Sequence, residues 1–400
     1  MEFKRVVVTG LGALTPLGND VQSYWDALER GQSGAGPITH FDVSKFRTKF
    51  GCELKGYDPL DYFDRKALKR FDPFTQYAII SANQAVEDSG IAGDSVNKDE
   101  VGVIHASGIG GLNIFQEQMR DFYTGDGTPR FNPFFIPKMI IDIAPGHISM
   151  KYGFRGPNYS CVSACASSTN ALIDAFTYIR LGRANAIVTG GAEAPITEGG
   201  VGGFSVMKAM SERNDDPTKA SRPFDKDRDG FVIGEGSASL VLEELEHAKA
   251  RGAKIYAEVV GGGMSGDAYH MTAPHPEGLG ASLVMNRALK DAGLEAKAID
   301  YINVHGTSTP LGDEAELKAI EDVFGEHAFA MNISSTKSMT GHLLGAAGSI
   351  EALACIMAIK RGKIPPTINV ENLDENINPK FNLTLNQVQE REVNYALSNT

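Results

Sequence analysis

Hydrophobic runs and periodic apolar positions alternate along this chain. Strand-like runs rich in β-branched and aliphatic residues occupy residues 3–9, 101–107, 186–193, 237–245, 254–261, 301–305 and 331–335. Between them, apolar residues recur every three or four positions, the spacing of one helix face, at residues 21–30, 73–89, 244–251, 281–292, 314–324 and 349–361. Such alternation is typical of mostly parallel sheets with helices on both faces. The sequence therefore predicts an α/β fold.

The alternation restarts close to residue 252, at a glycine. A chain of 400 residues exceeds the usual size of one compact core. We therefore expect two packed halves, residues 1–252 and 253–400. Residues 116–155 interrupt the first half with Phe, Pro and Met and few strand signals. This segment is a candidate contact with a partner, or else a lid or an insertion that caps the core.

Residues 158–172 contain the first candidate for chemistry. They begin as a buried strand, pass through small residues around Cys165, and lead into a helix whose apolar face is formed by Leu172, Ala175, Phe176 and Ile179. Cys165 is thus predicted at a strand-to-helix turn, where unpaired N–H groups and the helix dipole favour thiolate over thiol. The alternative is a buried structural cysteine, the commoner state of a cysteine on an apolar helix.

Two histidines and a lysine fall at the ends of other predicted elements. His305 closes the strand 301–305, while Lys337 and His342 lie in a small-residue turn ahead of the helix 349–361. Side chains at strand ends collect where α/β sites form. A lone histidine is more often a hydrogen-bonded core residue than a catalyst. Two histidines, a lysine and a cysteine in such positions indicate a catalytic site.

Composition narrows the class of protein. The chain is 42% hydrophobic and 22% charged and has 44 glycines, as expected for a large α/β enzyme with many tight turns. The cysteines show no Cys-x-x-Cys pair and no zinc spacing, so we expect reduced thiols at Cys52, Cys161, Cys165 and Cys355. No signal peptide and no apolar stretch of about 20 residues is visible, which predicts a soluble, cytoplasmic protein.

Net charge and two loop sequences argue against other functions. A net charge of −12 disfavours a general role in binding nucleic acid or anionic membranes. The segment Gly10–Gly18 lacks the third glycine of dinucleotide-binding loops. The acidic segment Ser221–Gly230 lacks the spacing of an EF-hand calcium loop. We therefore predict neither NAD nor calcium binding.

Three motifs resemble the Cys-His-His signature of the β-ketoacyl-acyl-carrier-protein synthases. They are Val-Ser-Ala-Cys165-Ala-Ser-Ser, His305-Gly-Thr-Ser-Thr-Pro-Leu-Gly-Asp313 and Ser-Ser-Thr-Lys337-Ser-Met-Thr-Gly-His342. The likeness covers essentially the whole chain, and the type II enzymes are favoured by Ser-Gly-Ile109-Gly-Gly-Leu112, Gly230-Phe-Val-Ile-Gly-Glu-Gly236 and Met264-Ser-Gly-Asp-Ala-Tyr-His-Met-Thr272. The resemblance implies a thiolase-like, five-layered αβαβα fold of two pseudo-repeated halves. The cysteine would lie in the first half and both histidines in the second.

The resemblance also implies a reaction. An acyl chain held on Cys165 would be joined to the two-carbon unit of malonyl-acyl-carrier protein with loss of CO₂, a decarboxylative Claisen condensation that elongates fatty acids. His305 and His342 would donate N–H bonds to the enolate oxygen, and Lys337 would orient His342 or steady charge. No cofactor would be bound, because the phosphopantetheine arm arrives on the acyl-carrier protein. A polyketide-type condensing enzyme and a non-catalytic carrier-protein-binding partner subunit remain as alternatives.

Other positions match binding residues of the family. Substrate would contact Ile109, Thr272, Thr307 and Thr309, and a polar network would include Asp313 and Glu351. A monovalent cation would lie among Asn303, Glu351, Ser398 and Asn399. The acidic carrier protein would dock on Lys66, Lys69, Arg70, Arg130 and Lys208, although the basic run 65–70 alone is typical of an ordinary solvated helix face. The family forms homodimers, which makes residues 116–155 the candidate interface.

One feature of the family would fall beyond the given sequence. The family ends in a Ser-Phe-Gly-Phe-Gly-Gly loop, which holds an oxyanion amide and a pocket-gating phenylalanine, and in a last core strand. Both would follow Asn399–Thr400. We therefore expect either that the sequence is cut short, which is the interpretation we favour, or that the chain is a poor catalyst.

Overall fold

The structure is a computed structural model that describes residues 3–400. Its α-helices are α1 (Val21–Glu29), α2 (Arg65–Leu68), α3 (Pro73–Ser89), α4 (Leu112–Thr124), α5 (Phe135–Met139), α6 (Ile143–Tyr152), α7 (Ser167–Arg180), α8 (Glu198–Val206), α9 (Leu245–Ala250), α10 (Leu279–Ala292), α11 (Pro310–Phe324), α12 (Lys337–Thr340) and α13 (Ala347–Arg361). Its strands are β1 (Val6–Leu14), β2 (Gly36–Pro37), β3 (Phe50–Gly51), β4 (Val101–Ala106), β5 (Asn158–Tyr159), β6 (Ala186–Glu193), β7 (Gly236–Glu244), β8 (Ala257–Val259), β9 (Tyr301–Asn303), β10 (Asn332–Ser334), β11 (Lys363–Ile364), β12 (Gln389–Glu390) and β13 (Ala396–Ser398). Within residues 3–400, every helix is too short or too polar to cross a bilayer.

The larger sheet has six strands in the order β5-β4-β6-β7-β1-β8. β4 runs parallel to β5 and β6, while β7 is antiparallel to both β6 and β1. Every residue of β1, β4 and β6 is buried, because α3 packs on one face of the sheet and α7 and α13 pack on the other. Glycine allows the close approach of α3, since a Cβ on Gly12 would lie 2.0 Å from the carbonyl oxygen of Ser81.

The smaller sheet consists of three parallel strands in the order β10-β9-β13. α13 contacts this sheet as well as the larger one. On the opposite face, α10 and α11 form an apolar cluster with side chains such as Ile302 and Ile333. The layers therefore run α3, six-stranded sheet, α7 with α13, three-stranded sheet, α10 with α11. This order confirms the five-layered αβαβα fold that the family resemblance implies.

The structure differs from the sequence-based expectations in three places. Residues 116–155 are mainly helical (α4, α5 and α6). Their prolines make the segment resemble a loop, but a helix tolerates proline in its first turn, and Pro145 lies in the first turn of α6. β1 continues to Leu14, through glycines expected to form a loop. The strand expected at residues 254–261 is reduced to β8, which pairs with β1 in the larger sheet although it opens the second half of the chain.

Two similar turns lead into the helices of the middle layer. A 3₁₀ turn at Ala164–Ala166 precedes α7, and another at Leu344–Ala346 precedes α13. Each begins with a non-glycine residue in the left-handed region, with φ of 52° at Ala164 and 47° at Leu344. Such backbone conformations cost energy and recur at functional sites. Cys165 and the residues that follow His342 lie in these two turns.

Candidate active site

Cys165 is the middle residue of the turn that precedes α7, as the sequence pattern predicts. Side-chain bonds to the backbone fix this turn: the Ser167 hydroxyl accepts from the N–H of Ser163 at 2.9 Å and donates to the carbonyl of Ala164 at 2.7 Å. The neighbouring side chains are small, and the cysteine lines a cavity. The turn therefore presents the sulfur to any molecule that enters the cavity.

His342 is the imidazole nearest to this sulfur. Its Nε2 lies 3.0 Å from Sγ of Cys165, and the backbone N–H of Leu344 donates to its Nδ1 at 3.3 Å. Because Nδ1 accepts a hydrogen bond, the ring proton is on Nε2. His342 therefore points an N–H group at the sulfur.

His305 follows β9 and stands beside His342. The ring centroids are 5.3 Å apart and the planes are nearly perpendicular, at 88°. The carboxylate of Glu316 accepts the backbone N–H groups of His305 and Gly306, each at 2.8 Å, which fixes the loop that carries the ring. Nδ1 of His305 is buried and has no hydrogen-bond partner among residues 3–400.

Burial controls the charge state of all three groups. It raises the pKa of Cys165 to about 11, an effect that the nearby Lys337 ammonium offsets only in part. The start of the helix favours the thiolate of Cys165, and the loss of hydration opposes it. Burial also lowers the pKa values of His305 and His342 well below the ordinary histidine value, and Lys337 acts in the same direction. Both rings are neutral at pH 7.

The sulfur and the two imidazoles also resemble a set of metal ligands. One ligand atom from each residue lies within 4.8 Å of the others, and such a set suits a soft metal ion. A histidine that binds a metal through Nε2 carries its proton on Nδ1 and donates it to an acceptor. Nδ1 of His342 instead faces the N–H of Leu344, which is a donor. The arrangement fits two hydrogen-bond donors beside a sulfur and does not fit a metal centre.

Lys337 and Glu351 form an ion pair inside the protein, with side chains only 2% and 1% exposed. The second oxygen of Glu351 accepts the hydroxyl of Thr400 at 3.1 Å. Burial raises the pKa of Glu351 to about 7, although Lys337 pulls it in the opposite direction. Lys337 makes no hydrogen bond to His342 among the described residues. It therefore acts on the imidazoles through its charge.

A cavity of about 900 Å³ opens onto Cys165 and both histidines. Thr272, Thr307 and Thr309 line it, as do apolar side chains of α7, α8 and α10, and the hydroxyls of Thr307 and Thr309 are bonded at 3.1 Å. Ile109 is not among the lining residues. It is 37% exposed, and its N–H is bonded to Glu193, so its contact with substrate stays a prediction.

Asp313 and Glu351 belong to two separate networks and not to one. Asp313 is buried beside Arg228, 3.4 Å from Nε, and it accepts the N–H of Phe224 at 3.1 Å. Burial raises its pKa to about 7. Arg228 bonds the acidic loop that begins at Ser221 to α11.

The residues predicted to hold a cation are brought together only in part. Asn303 and Ser398 face each other in the pairing of β9 with β13. Oδ1 of Asn303 and Oγ of Ser398 are buried without a hydrogen-bond partner within residues 3–400. Asn399 is bonded to Glu316, and Glu351 is bonded to Lys337. Two unpaired oxygens fit a hard cation, and the site stays a prediction.

All five residues predicted to dock a carrier protein are exposed: Lys66, Lys69, Arg70, Arg130 and Lys208. α2 is a single turn, and the next helix already begins at Pro73. The guanidinium of Arg70 lies 5.6 Å from the ring of Phe134, and Arg130 pairs with Asp126 at 3.2 Å. Lys208 adjoins Met207, which lines the cavity. The docking role stays a prediction.

Sequence reasoning missed two buried carboxylates that shape the site, Glu193 and Glu316. Glu316 holds the His305 loop, and Glu193 holds the loop of Ile109 and the turn after His342. A weak signal exists for each: Glu193 ends a buried strand behind two glycines, and Glu316 lies between Ala315 and Leu317 on the apolar face of a helix. An acid in such a position requires donors, but the sequence does not say which.

Comparisons with known proteins agree with this geometry. The chain matches the N-terminal domain of beta-ketoacyl synthase over residues 3–248 and the C-terminal domain over residues 256–371. Relatives named 3-oxoacyl-[acyl-carrier-protein] synthase 2 occur in Synechocystis sp., with 50% identity over 100% of this chain and 95% of the relative, and in Coxiella burnetii, with 48% identity over 100% and 96%.

Solved structures of the same class share the fold. A type II polyketide ketosynthase in complex with its acyl-carrier protein superimposes with a TM-score of 0.92 at 32% identity, covering 99% of this chain and 96% of that one. A beta-ketoacyl synthase from Burkholderia phymatum gives a TM-score of 0.90 at 36% identity, covering 99% and 95%. The chain therefore belongs to the β-ketoacyl synthase family of condensing enzymes.

Proposed function

We propose that the protein is a fatty-acid-elongating 3-oxoacyl-acyl-carrier-protein synthase. It transfers an acyl chain to Cys165 and condenses it with malonyl-acyl-carrier protein, releasing CO₂. The observation that carries the proposal is one sulfur beside two neutral imidazoles in a common cavity, with the N–H of His342 directed at it. The relatives that share about half of their residues with this chain bear the name of that activity.

The first half-reaction is acyl transfer to sulfur. The Cys165 thiol loses its proton to solvent, and its thiolate attacks the carbonyl of the carrier-bound thioester. The bond to the phosphopantetheine sulfur breaks, and the carrier leaves as a free thiol after taking a proton back from solvent. His342 stabilises the sulfur anion through its Nε2–H. It does not act as the base, because that nitrogen already carries the ring proton.

The second half-reaction needs hydrogen-bond donors for the enolate oxygen and no strong base. Loss of CO₂ from the malonyl group leaves an enolate, whose oxygen receives N–H bonds from His342 and His305. Its carbon attacks the Cys165 thioester, and the sulfur leaves as thiolate with 3-oxoacyl-carrier protein as product. Removal of one such donor typically costs about 10²–10³-fold in rate. Both imidazoles are neutral, as donors to an enolate must be if they are to keep their protons afterwards.

Two other functions compete with this proposal. A polyketide-type condensing enzyme would use the same side chains, and a polyketide ketosynthase shares the fold. Its 32% identity is well below the 50% of the Synechocystis relative, which favours fatty-acid elongation. A non-catalytic partner subunit has no use for a reactive cysteine, whereas this chain retains Cys165 beside both histidines.

The assigned roles can be separated by measuring the two half-reactions independently. Cys165→Ala should abolish acyl transfer and condensation. His305→Ala and His342→Ala should retain acylation of Cys165, measured by intact-protein mass spectrometry, and lose malonyl decarboxylation. Cys161→Ala is a matched control, since this half-buried thiol is bonded to Asp174 and not to a histidine. Equal loss of both half-reactions in the histidine variants would contradict the assignment.

We infer that the acyl-carrier protein docks on the exposed cations named above and passes its phosphopantetheine arm to Thr307 and Thr309. The protein as a whole has a net charge of −12, whereas this local surface is basic and therefore attracts an acidic partner. Lys66→Glu with Lys69→Glu should raise KM for acyl-carrier protein and leave KM for an acyl-pantetheine thioester unchanged. A parallel rise in both constants would argue against docking there.

We also propose a homodimer and an internal repeat of residues 1–252 and 253–400. The repeat is supported by the two left-handed turns at Ala164 and Leu344, each leading into a middle-layer helix. The dimer is supported by exposed aromatic side chains on α4 and in the segment that precedes α5. A monovalent cation between Asn303 and Ser398 completes the proposal, and replacing potassium with choline should then lower Tm of the wild type more than that of Asn303→Ala.

A further inference from the structure

Glu193 is the last residue of β6 and is fully buried. Within residues 3–400, no lysine or arginine bonds its carboxylate. Four donors hold it instead: the hydroxyl of Ser107 at 2.7 Å and the N–H groups of Gly108, Ile109 and Gly345 at 2.7, 3.1 and 2.9 Å. A carboxylate offers about four acceptor positions, so the set is matched to an ionised side chain.

The four donors come from two different loops. Ser107, Gly108 and Ile109 belong to the loop between β4 and α4, and Gly345 belongs to the turn between His342 and α13. One oxygen, Oε2, accepts from both loops at once. The loops also pack directly together, since a Cβ on Gly345 would lie 2.2 Å from the nitrogen of Gly108.

The second of these loops controls the orientation of a catalytic ring. Leu344, the neighbour of Gly345, donates the N–H that fixes the proton of His342 on Nε2. Leu344 does so from a left-handed conformation, with φ of 47°, which an unsupported chain would leave. The bond from Gly345 to Glu193 is a support for that conformation on the adjacent residue.

We propose that Glu193 is a positioning residue that ties the Ile109 loop to the turn that sets the tautomer of His342. The inference rests on the proposed function. It makes the Ile109 loop, which is predicted to contact substrate, and the enolate-stabilising side of the site one mechanical unit. An amide at this position has only one acceptor oxygen and turns an NH₂ group toward donors, so the unit loosens without any change in side-chain size.

The test compares Glu193→Gln with a matched variant, Glu243→Gln. Glu243 is also fully buried, and it accepts bonds from Thr9, His247 and Arg251. It lies at the opposite end of the β6–β7 pairing, where Ala186 faces Glu243 and Glu193 faces Gly236. Both variants are measured for Tm, for acylation of Cys165, for malonyl decarboxylation, and for kcat/KM with acyl-carrier proteins of graded chain length.

Glu193→Gln should lower decarboxylation at least about tenfold more than acylation, since misplacement of a reacting group by 1 Å costs on the order of 10²-fold. It should also change the ratio of kcat/KM between short and long acyl chains. Glu243→Gln should lower Tm and leave both ratios at their wild-type values. The proposal is overturned if Glu193→Gln changes both half-reactions equally, or if it changes only Tm.

Ser107→Ala keeps the test decisive if Glu193→Gln does not fold. It removes one of the four donors and should change both ratios in the same direction by a smaller factor. Unchanged ratios in folded Ser107→Ala also overturn the proposal. Failure of the proposed function is a different result, because wild-type protein would then show neither acylation nor decarboxylation.

Discussion

At the scale of single residues, the position of one proton determines what His342 can do. The motif around His342 predicts a catalytic ring, but it does not say which nitrogen carries the hydrogen. That is decided by the backbone N–H of Leu344, whose direction depends on a left-handed φ of 47°. The same limit applies to Cys165. Its helix-start position is readable from the sequence, whereas the burial that raises its pKa depends on packing from distant segments.

The pKa of Cys165 leads to a direct prediction. The thiolate is the reactive form, and burial raises the pKa of this thiol to about 11. The second-order rate constant for alkylation by iodoacetamide should therefore rise roughly tenfold per pH unit between pH 7 and pH 9, measured as modification of the peptide that contains Cys165. Cys165→Ala provides the background from the other thiols. A rate that is already constant below pH 7 would instead indicate a thiolate stabilised by the helix start.

The Lys337–Glu351 pair allows stability to be separated from catalysis. Lys337→Met leaves the buried carboxyl of Glu351 without its ion-pair partner, which costs about 3–5 kcal/mol of unfolding free energy. Adding Glu351→Leu removes that carboxylate and should restore most of the stability in denaturant unfolding. Decarboxylation should remain low in both variants, because the positive charge near the two imidazoles is absent. Recovery of activity in the double variant would limit Lys337 to a structural role.

At the scale of elements, the sequence predicts helices with a clear local periodicity and misses features that depend on contacts between distant segments. α3 has the predicted bounds, and α10, α11 and α13 begin two to four residues before their predicted starts, because their apolar periodicity is clear and their caps are not. The α4–α6 region was missed since its prolines and aromatics suggest loops. β8 was expected to begin a separate half, but its pairing with β1 is a long-range contact. No local pattern specifies such a contact.

Glycines in β1 provide a test of element packing. A Cβ on Gly12 would lie 2.0 Å from the carbonyl oxygen of Ser81 in α3, so Gly12→Ala has to push the helix away from the sheet. We expect a loss of at least about 1–3 kcal/mol of unfolding free energy. Gly146→Ala is the control within helix α6, where no atom lies within 4 Å of the added Cβ, and it should be neutral or slightly stabilising. Equal stability losses would contradict the packing argument.

At the scale of the whole molecule, the active site depends on bringing three separate segments to the centre of the layers. Cys165 enters from the turn before α7, His305 from the end of β9, and Lys337 and His342 from the segment before α13. For each of these residues the sequence predicts a position at the end of an element, and the family resemblance implies that the residues come together. It does not supply the buried carboxylates that hold these segments in register, because Glu193 and Glu316 are matched to their donors only in the folded chain.

Association of two copies is the prediction that belongs to this scale. Phe115, Phe122, Phe131 and Phe135 form a chain of ring contacts with centroid distances of 5.4–6.4 Å. Part of this aromatic patch is open to solvent, with Phe115 44% and Phe131 36% exposed. β5 lies close by in sequence at an edge of the larger sheet. An exposed apolar patch and an open strand edge both suit a two-fold interface in which the same surface of each copy meets.

Light scattering coupled to size exclusion should therefore give twice the mass of the chain for the wild type at micromolar concentration. Phe115→Glu with Phe131→Glu buries two charges in the interface and should shift the protein to a monomer, since unpaired charges in an apolar contact are strongly unfavourable. Leu311→Glu places the same charge at an apolar side chain that is 70% exposed on α11, and it should remain a dimer. Dissociation of this control would place the interface elsewhere. A monomeric wild type would show that no such interface forms. Because β5 leads directly into the segment that contains Cys165, the monomeric variant should also acylate Cys165 more slowly than the wild type.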